Sequence, residues 1–411
     1  MLVPPPLSLY IHIPWCVRKC PYCDFNSHQQ PERIPVDDYV AALIADLEQD
    51  LPLVWGRPVH SVFFGGGTPS LFPPGAIGDI LSACAARLRF APGAEITMEC
   101  NPGTAEHGLF EAYLAAGVNR ISFGIQSFDD GCLQRLGRIH DSAEAERAVK
   151  LAQDAGIDNL NLDLMYALPQ QTLAMALRDV EKAIALQPAH LSHYQLTLEP
   201  NTVFAARPPQ GIPDEDAAWD MQERCIEAMA AAGHAQYEIS AYARPGRQCA
   251  HNLNYWRFGD YLGIGAGAHG KISSGASGEI LRRWKIKNPR DYLAQARGPG
   301  RQGGHMTVLH DYQADVPGLG LLKAGEQATP DQMTKALSDD TKIVFWRTKN
   351  SWGGIRPDRW SEAAIPGYHE LMNDYMQGPI KECAEVNHTS DPNNCPRQVT
   401  PWWDAVLPAG Y

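Results

Sequence analysis

The sequence predicts an α/β fold built on a parallel sheet. Three observations predict it. Short apolar runs alternate with amphipathic stretches about six times, helix start and stop signals separate them, and glycine and polar residues gather near the ends of the runs.

The strand candidates are Leu7–Ile13, Ser61–Phe64, Glu95–Glu99, Arg120–Ile125, Asn159–Tyr166, Leu191–Leu198 and Gln236–Ser240. Helix candidates lie between them near 37–50, 75–88, 105–116, 141–155, 173–187 and 213–232. The stretch at 141–155 opens on Asp141–Ser142, which suit an N-cap, and stops before Gly156. Strands separated by single helices imply parallel pairing with right-handed crossovers, and six repeats imply an open or complete βα barrel. Such a barrel puts its chemistry at the C-terminal strand ends. Cys16, Gly65–Thr68, Glu99–Asn101, Gln126 and Asp163 are expected there, facing one site.

Composition narrows the partners. The 411 residues are 44% apolar and carry a net charge of −12, from 35 basic and 47 acidic side chains. That balance argues against nucleic acid or an anionic membrane as the main partner, with peripheral membrane contact left open. The opening MLVPPPLSLYIHIP has no basic stretch or long apolar run, so no signal peptide or transmembrane segment is expected and a cytoplasmic location is. In a reducing compartment the ten cysteines favour metal binding over disulfides.

Three of them, Cys16, Cys20 and Cys23, stand in WCVRKCPYCDF with the spacing C-x₃-C-x₂-C, directly after a strand candidate. Thiolates are the usual ligands of iron–sulfur clusters. Three on a [4Fe–4S] cube leave one iron open, where S-adenosylmethionine (SAM) can chelate through its amino and carboxylate groups. Two alternatives stay open on spacing alone: a structural zinc site completed by His12 or His28, and three ordinary buried cysteines. Cys84, Cys100, Cys132, Cys225 and Cys249 read as small apolar residues, with Cys100 close to Glu99.

Five further segments accompany the cysteines: Phe63–Ser70 (FFGGGTPS), Ile96–Gly103 (ITMECNPG), Ile121–Phe128 (ISFGIQSF), Asn161–Pro169 (NLDLMYALP) and His251–Gly270 (HNLNYWRFGDYLGIGAGAHG). Together they resemble radical SAM proteins of the coproporphyrinogen oxidase-like group, from about residue 7 to about 297. The resemblance implies a radical SAM partial (βα)6 barrel with a [4Fe–4S] cluster on Cys16, Cys20 and Cys23. It implies SAM contacts at Tyr10, Tyr22, Gly66, Gly67, Thr68, Glu99, Gln126, Arg138 and Asp163. By residue type, Gly65, Gly66 and Gly67 let backbone approach the methionyl amino group. Glu99 suits an ammonium or ribose, Gln126 and Asp163 suit ribose hydroxyls, Arg138 the SAM carboxylate, and Tyr22 the adenine.

Two subgroups share these motifs. Oxygen-independent coproporphyrinogen III oxidases convert propionates to vinyl groups in porphyrin biosynthesis. HemW-like heme chaperones bind heme and deliver it to respiratory acceptor proteins. The oxidases carry another cysteine two residues after the third cluster cysteine, where this sequence has Phe25, and a longer arm before the cluster. Both departures, and the segment His251–Trp256, favour a chaperone with heme as cargo. His251 is a candidate heme ligand, with a satisfied buried histidine as the equal alternative; His269 is weaker, and Tyr255 and Trp256 suit a porphyrin face or a core.

Near residue 300 the rhythm stops at the Gly-rich Arg297–Gly304. The expected division is a core barrel at 1–235, the start of a chaperone-like region at 236–300, and a tail of different origin at 301–411. Within the tail, Phe345–Gly353 (FWRTKNSWG) and Gly304–Leu309 (GHMTVL) resemble the asparagine and histidine segments of papain-type cysteine peptidases. That resemblance implies a pairing of Asn350 with His305, without the family's nucleophile segment, so no proteolysis is expected. Cys383, Cys395 and the Asn387–His388–Thr389 sequon also set the tail apart, and a fused or misassembled reading frame is the favoured origin.

Overall fold

The computed structural model describes residues 4–104, 108–274 and 279–296, and the backbone of four later strands at 305–316, 320–323, 342–350 and 368–372. Six strands run parallel in chain order: β1 (Leu7–Ile13), β2 (Pro58–Gly66), β3 (Arg89–Cys100), β4 (Arg120–Gln126), β5 (Leu160–Tyr166) and β6 (His190–Gln195). The crossovers are α1 (Val36–Val54), α2 (Pro74–Arg87), α3 (Leu109–Ala116), the pair α4 (Asp130–Leu136) and α5 (Ser142–Asp154), and α6 (Leu173–Ala185). This is the α/β barrel-like sheet that the sequence predicts.

The sheet is open. Beyond β6 comes the antiparallel β7 (Ala241–Ala243), with the two-residue strand Ala235–Gln236 outside it. Beyond β1 comes β8 (Asp260–Ile264), parallel to it, then the antiparallel β9 (His269–Ser273) and β10 (Ile280–Trp284). The backbone of β11 (His305–Val316), β12 (Gly320–Lys323), β13 (Lys342–Asn350) and β14 (Tyr368–Met372) continues the antiparallel pairing. The side chains of the tail, His305 and Asn350 among them, lie outside the described residues.

Every residue of β1 is buried, as expected of a strand flanked by parallel neighbours and covered on its faces. The start of α5 is the expected one. Asp141 caps the Glu144 N–H while the Glu144 carboxylate accepts from the Asp141 N–H, a reciprocal capping box. Lys285 reaches Asp46 and Asp50 of α1, Arg283 also pairs with Asp50, and the Tyr292 hydroxyl donates to Asp46. These buried charges hold residues 283–292 against the barrel, and each is paired, without which burial would cost several kcal/mol.

One predicted strand is corrected. Gln236–Ser240 is not a strand: the chain leaves the sheet after Gln236 and rejoins it at Ala241. The Tyr237 hydroxyl turns toward His190 instead, and the Ser240 carbonyl accepts from His193 N–H.

Candidate functional site

The cysteine loop leaves the top of β1. Trp15–Cys16 pairs with His28–Gln29, which closes the loop on itself. The Cys23 N–H donates to the Cys20 carbonyl at 3.1 Å, so a tight turn separates these two thiols. Cys16, Cys20 and Cys23 all line one cavity of about 550 Å³ at the strand ends. Burial pushes the Cys16 thiol up to about 11 and raises Cys23 as well. A bound metal offsets such a penalty by supplying the charge that the thiolate needs. Both histidines considered as a fourth zinc ligand are engaged. His12 donates from Nε2 to the Asn26 carbonyl and accepts the Tyr10 hydroxyl at Nδ1, while His28 Nε2 bonds Asn26 Oδ1.

The same cavity is lined by Tyr10, Tyr22, Gly66, Gly67, Thr68, Glu99, Gln126, Arg138, Asp163 and His251. The residues expected to hold the cluster and SAM therefore meet here, drawn from five parallel strands and from loops at 16–23, 67–68 and Arg138, and joined by the helix that carries His251. His269 and Trp256 are not in its lining, whereas Tyr255 is.

The glycines have a structural reason of their own. An added Cβ would lie 2.6 Å from the His12 ring at Gly66 and 2.4 Å from the Trp15 carbonyl oxygen at Gly67. The β2 turn thus presses against the cysteine strand, and Gly66 also holds φ at 116°. Its N–H donates to Glu99 Oε2 at 3.2 Å. Glu99 is half-buried in the cavity wall, and desolvation, then the field of Asp163, pushes its carboxyl up to about 8.

Asp163 does not sit at a strand end. It is the fourth residue of β5 and reaches the cavity from within the barrel. Burial raises its carboxyl, opposed by hydrogen bonds from Asn161 Nδ2 at 2.7 Å and Ser122 Oγ at 3.2 Å. Gln126 ends β4 at φ 71°, where the register with β5 shifts, and its amide lies over Gly124. A non-glycine residue held there marks local strain, which concentrates at functional sites.

Arg138 has two of its arms engaged, by the Gly124 carbonyl and by Cys20 Sγ at 3.7 Å, and its buried Nε has no partner in the protein. Tyr22 packs beside Phe204, with ring centroids 6.3 Å apart, in a small apolar cluster with Met165 and Leu196.

His251 belongs to α9 (Ala250–Trp256), which follows α7 (Val203–Ala206) and α8 (Glu215–Ala231). Glu95 caps α9, accepting from Ala250 N–H and His251 N–H. The imidazole shares hydrogen bonds at both nitrogens, with Ser61 Oγ at 3.0 Å and the Tyr255 hydroxyl at 2.7 Å, and stacks on Phe63. Burial lowers it to about 3, so it is neutral. This is the arrangement of a satisfied buried histidine, and to hold iron it would have to release one of these bonds.

The sequence reading missed Asn161, Ser122, Arg120, His190 and Tyr194, which line the cavity too. The alternation Asn161–Leu162–Asp163 in β5 carried the signal, since it turns both polar side chains to one face.

The residues fit a [4Fe–4S] cluster with SAM. The loop presents three thiols to one space. Two carboxyls, Glu99 and Asp163, face that space and can accept from an amino group or from ribose hydroxyls. The unpartnered Arg138 Nε offers a donor for a carboxylate.

Comparison with known proteins agrees. The radical SAM superfamily profile matches residues 10–183. The heme chaperone HemW of Escherichia coli is 57% identical over 310 residues, which cover 75% of this chain and 79% of that protein. HemW of Haemophilus influenzae is 56% identical over 293 residues, covering 70% and 76%. The structure of coproporphyrinogen III oxidase (HemN) from Escherichia coli, a radical SAM enzyme, superposes with a TM-score of 0.63 at 25% identity, covering 73% of this chain and 71% of that one. The comparisons do not support the peptidase likeness of residues 301–411.

Proposed function

This chain belongs to the HemW family of radical SAM proteins, and we propose that it carries heme to acceptor proteins from a site built around a [4Fe–4S] cluster and SAM. The observation that carries this reading is the single cavity shared by the three thiols, Glu99, Asp163 and Arg138. Cys16, Cys20 and Cys23 hold the cluster. Glu99 accepts from the methionyl amino group, Asp163 and Gln126 take the ribose hydroxyls, and Arg138 the carboxylate, with Tyr10, Tyr22, Gly66, Gly67 and Thr68 shaping the pocket around them. When bound, cluster and SAM together supply one-electron reduction of the sulfonium. In a carrier, the chain's own work is to bind, orient and shield these groups.

Heme is the cargo and heme proteins of respiration the acceptors. The location is cytoplasmic; among the described residues no helix is long and apolar enough to cross a membrane. The barrel at 1–235 holds the cluster and SAM, and 236–300 begins the chaperone-specific part.

Anaerobic reconstitution with iron and sulfide tests the reading. Reduced protein is expected to give a [4Fe–4S]⁺ EPR signal that changes on adding SAM and is lost when the three cysteines become alanine. Heme titration of the same sample is expected to show stoichiometric binding, and transfer to an apo-cytochrome follows. Decarboxylation of coproporphyrinogen III would instead place the protein with the oxidases.

A further inference from the structure

A chain of hydrogen bonds runs along the cavity wall from α9 to Asp163. Asn252 Nδ2 donates to the Tyr237 hydroxyl oxygen at 3.2 Å, and the Cys249 N–H donates to the same oxygen at 3.3 Å. That hydroxyl lies 2.8 Å from His190 Nε2, and His190 Nδ1 lies 2.6 Å from Asn161 Oδ1. Asn161 Nδ2 donates to Asp163 Oδ1 at 2.7 Å and to Ser122 Oγ at 2.8 Å, and Ser122 in turn donates to Asp163 Oδ2.

The proton positions follow from these partners. The Asn161 amide nitrogen faces a carboxylate, so its oxygen faces His190 and can only accept. Hence His190 carries its proton on Nδ1, and Nε2 accepts the single Tyr237 proton. The Tyr237 oxygen then serves Asn252 and Cys249. Every donor points one way, toward Asp163. A protonated His190 would place two donors against each other at Tyr237. Burial holds its pKa well below the usual range and keeps it neutral, with Arg120 and His234 acting in the same sense. The histidine is 2% exposed and Asn161 also 2%, so the bond between them is sheltered from water.

We propose that His190 is a positioning residue for the ribose end of bound SAM: through Asn161 it fixes the Asp163 carboxylate, and through Tyr237 it ties that carboxylate to Asn252 of the 249–256 segment. This rests on the reading that Asp163 receives the ribose hydroxyls. It gives the polar residues of that segment a task apart from iron ligation, because Asn252 rather than His251 joins the network that ends at Asp163.

The test compares the affinity of cluster-reconstituted protein for SAM and for its 2′,3′-dideoxy analogue. Wild type is expected to prefer SAM. His190→Leu is expected to weaken SAM about tenfold and leave the analogue unchanged, the scale of one hydrogen bond to a charged group. His190→Asn, whose amide can still donate toward Asn161, is expected to restore most of the preference, and Tyr237→Phe to lose part of it. Equal weakening of both ligands, or an unchanged preference in His190→Leu, would overturn the proposal. Should His190→Leu not fold, His190→Phe and Tyr237→Phe carry the same comparison. Asp163→Ala separates the two failures: if it keeps the wild-type preference, Asp163 does not hold the ribose and the parent reading is the one that fails.

Discussion

The Gly66 N–H donates to Glu99 Oε2 at 3.2 Å, joining the glycine turn of β2 to the end of β3 inside the cavity. One backbone donor does not offset desolvation beside Asp163, so the Glu99 carboxyl holds its proton up to about 8. The methionyl amino N–H groups of the sulfonium ligand, donating there, favour the carboxylate. SAM binding below pH 8 should therefore release a proton, and affinity should rise between pH 6 and 8, by at most about tenfold per unit. Above pH 8 the slope should flatten. The same raised value makes Glu99 a group whose stabilisation is present at acid pH and lost as pH climbs toward 8. Calorimetry in buffers of different ionisation enthalpy measures the proton, and Glu99→Gln should abolish its release.

Gln126 is held at φ 71°, which costs an L-residue about 1 kcal/mol. Gln126→Gly should relieve that strain and leave stability equal or slightly higher, while SAM affinity falls several-fold. A variant that loses stability and keeps its affinity would show that the strained conformation serves packing alone. Urea unfolding and SAM titration of one preparation decide between them.

Asp179 on α6 accepts from Ser127 Oγ and from the Phe128 N–H, each at 2.7 Å, and so ties the helix to the chain leaving β4. Burial raises its carboxyl to about 6. Asp179→Ala leaves a buried backbone N–H without its partner, and should destabilise the barrel by about 2–3 kcal/mol in urea unfolding. Cluster content at low temperature should be unaffected, because the residue is not part of the cavity lining.

His251 has both ring nitrogens engaged and stays neutral down to about pH 3. Heme affinity should therefore show no titration from this residue between pH 5 and 8. His251→Leu removes partners from Ser61 and Tyr255 and should cost about 2–3 kcal/mol of stability. The Soret maximum of bound heme should stay where it is in the wild type; a shift would make His251 an iron ligand after all.

The sequence by itself determined the parallel βα order, the α5 capping box, the C-x₃-C-x₂-C thiols and many of the cavity residues, though not Asn161, Ser122, Arg120, His190 or Tyr194. Each is written in local spacing: a period of two in a strand, a cap beside a periodic helix, thiols three and four residues apart. Tertiary structure decided the rest. It made the sheet open, because β8, more than two hundred residues downstream, pairs beside β1. It placed Asp163 within the barrel and charged Glu99 with a proton, since burial depends on what encloses a group. It showed that Gly66 and Gly67 make room for His12 and Trp15, and that His251 is satisfied while His190 joins a network leading to Asp163. Such contacts join residues far apart in the chain, and no local pattern records which distant partner will meet a given side chain or how much water will be left beside it.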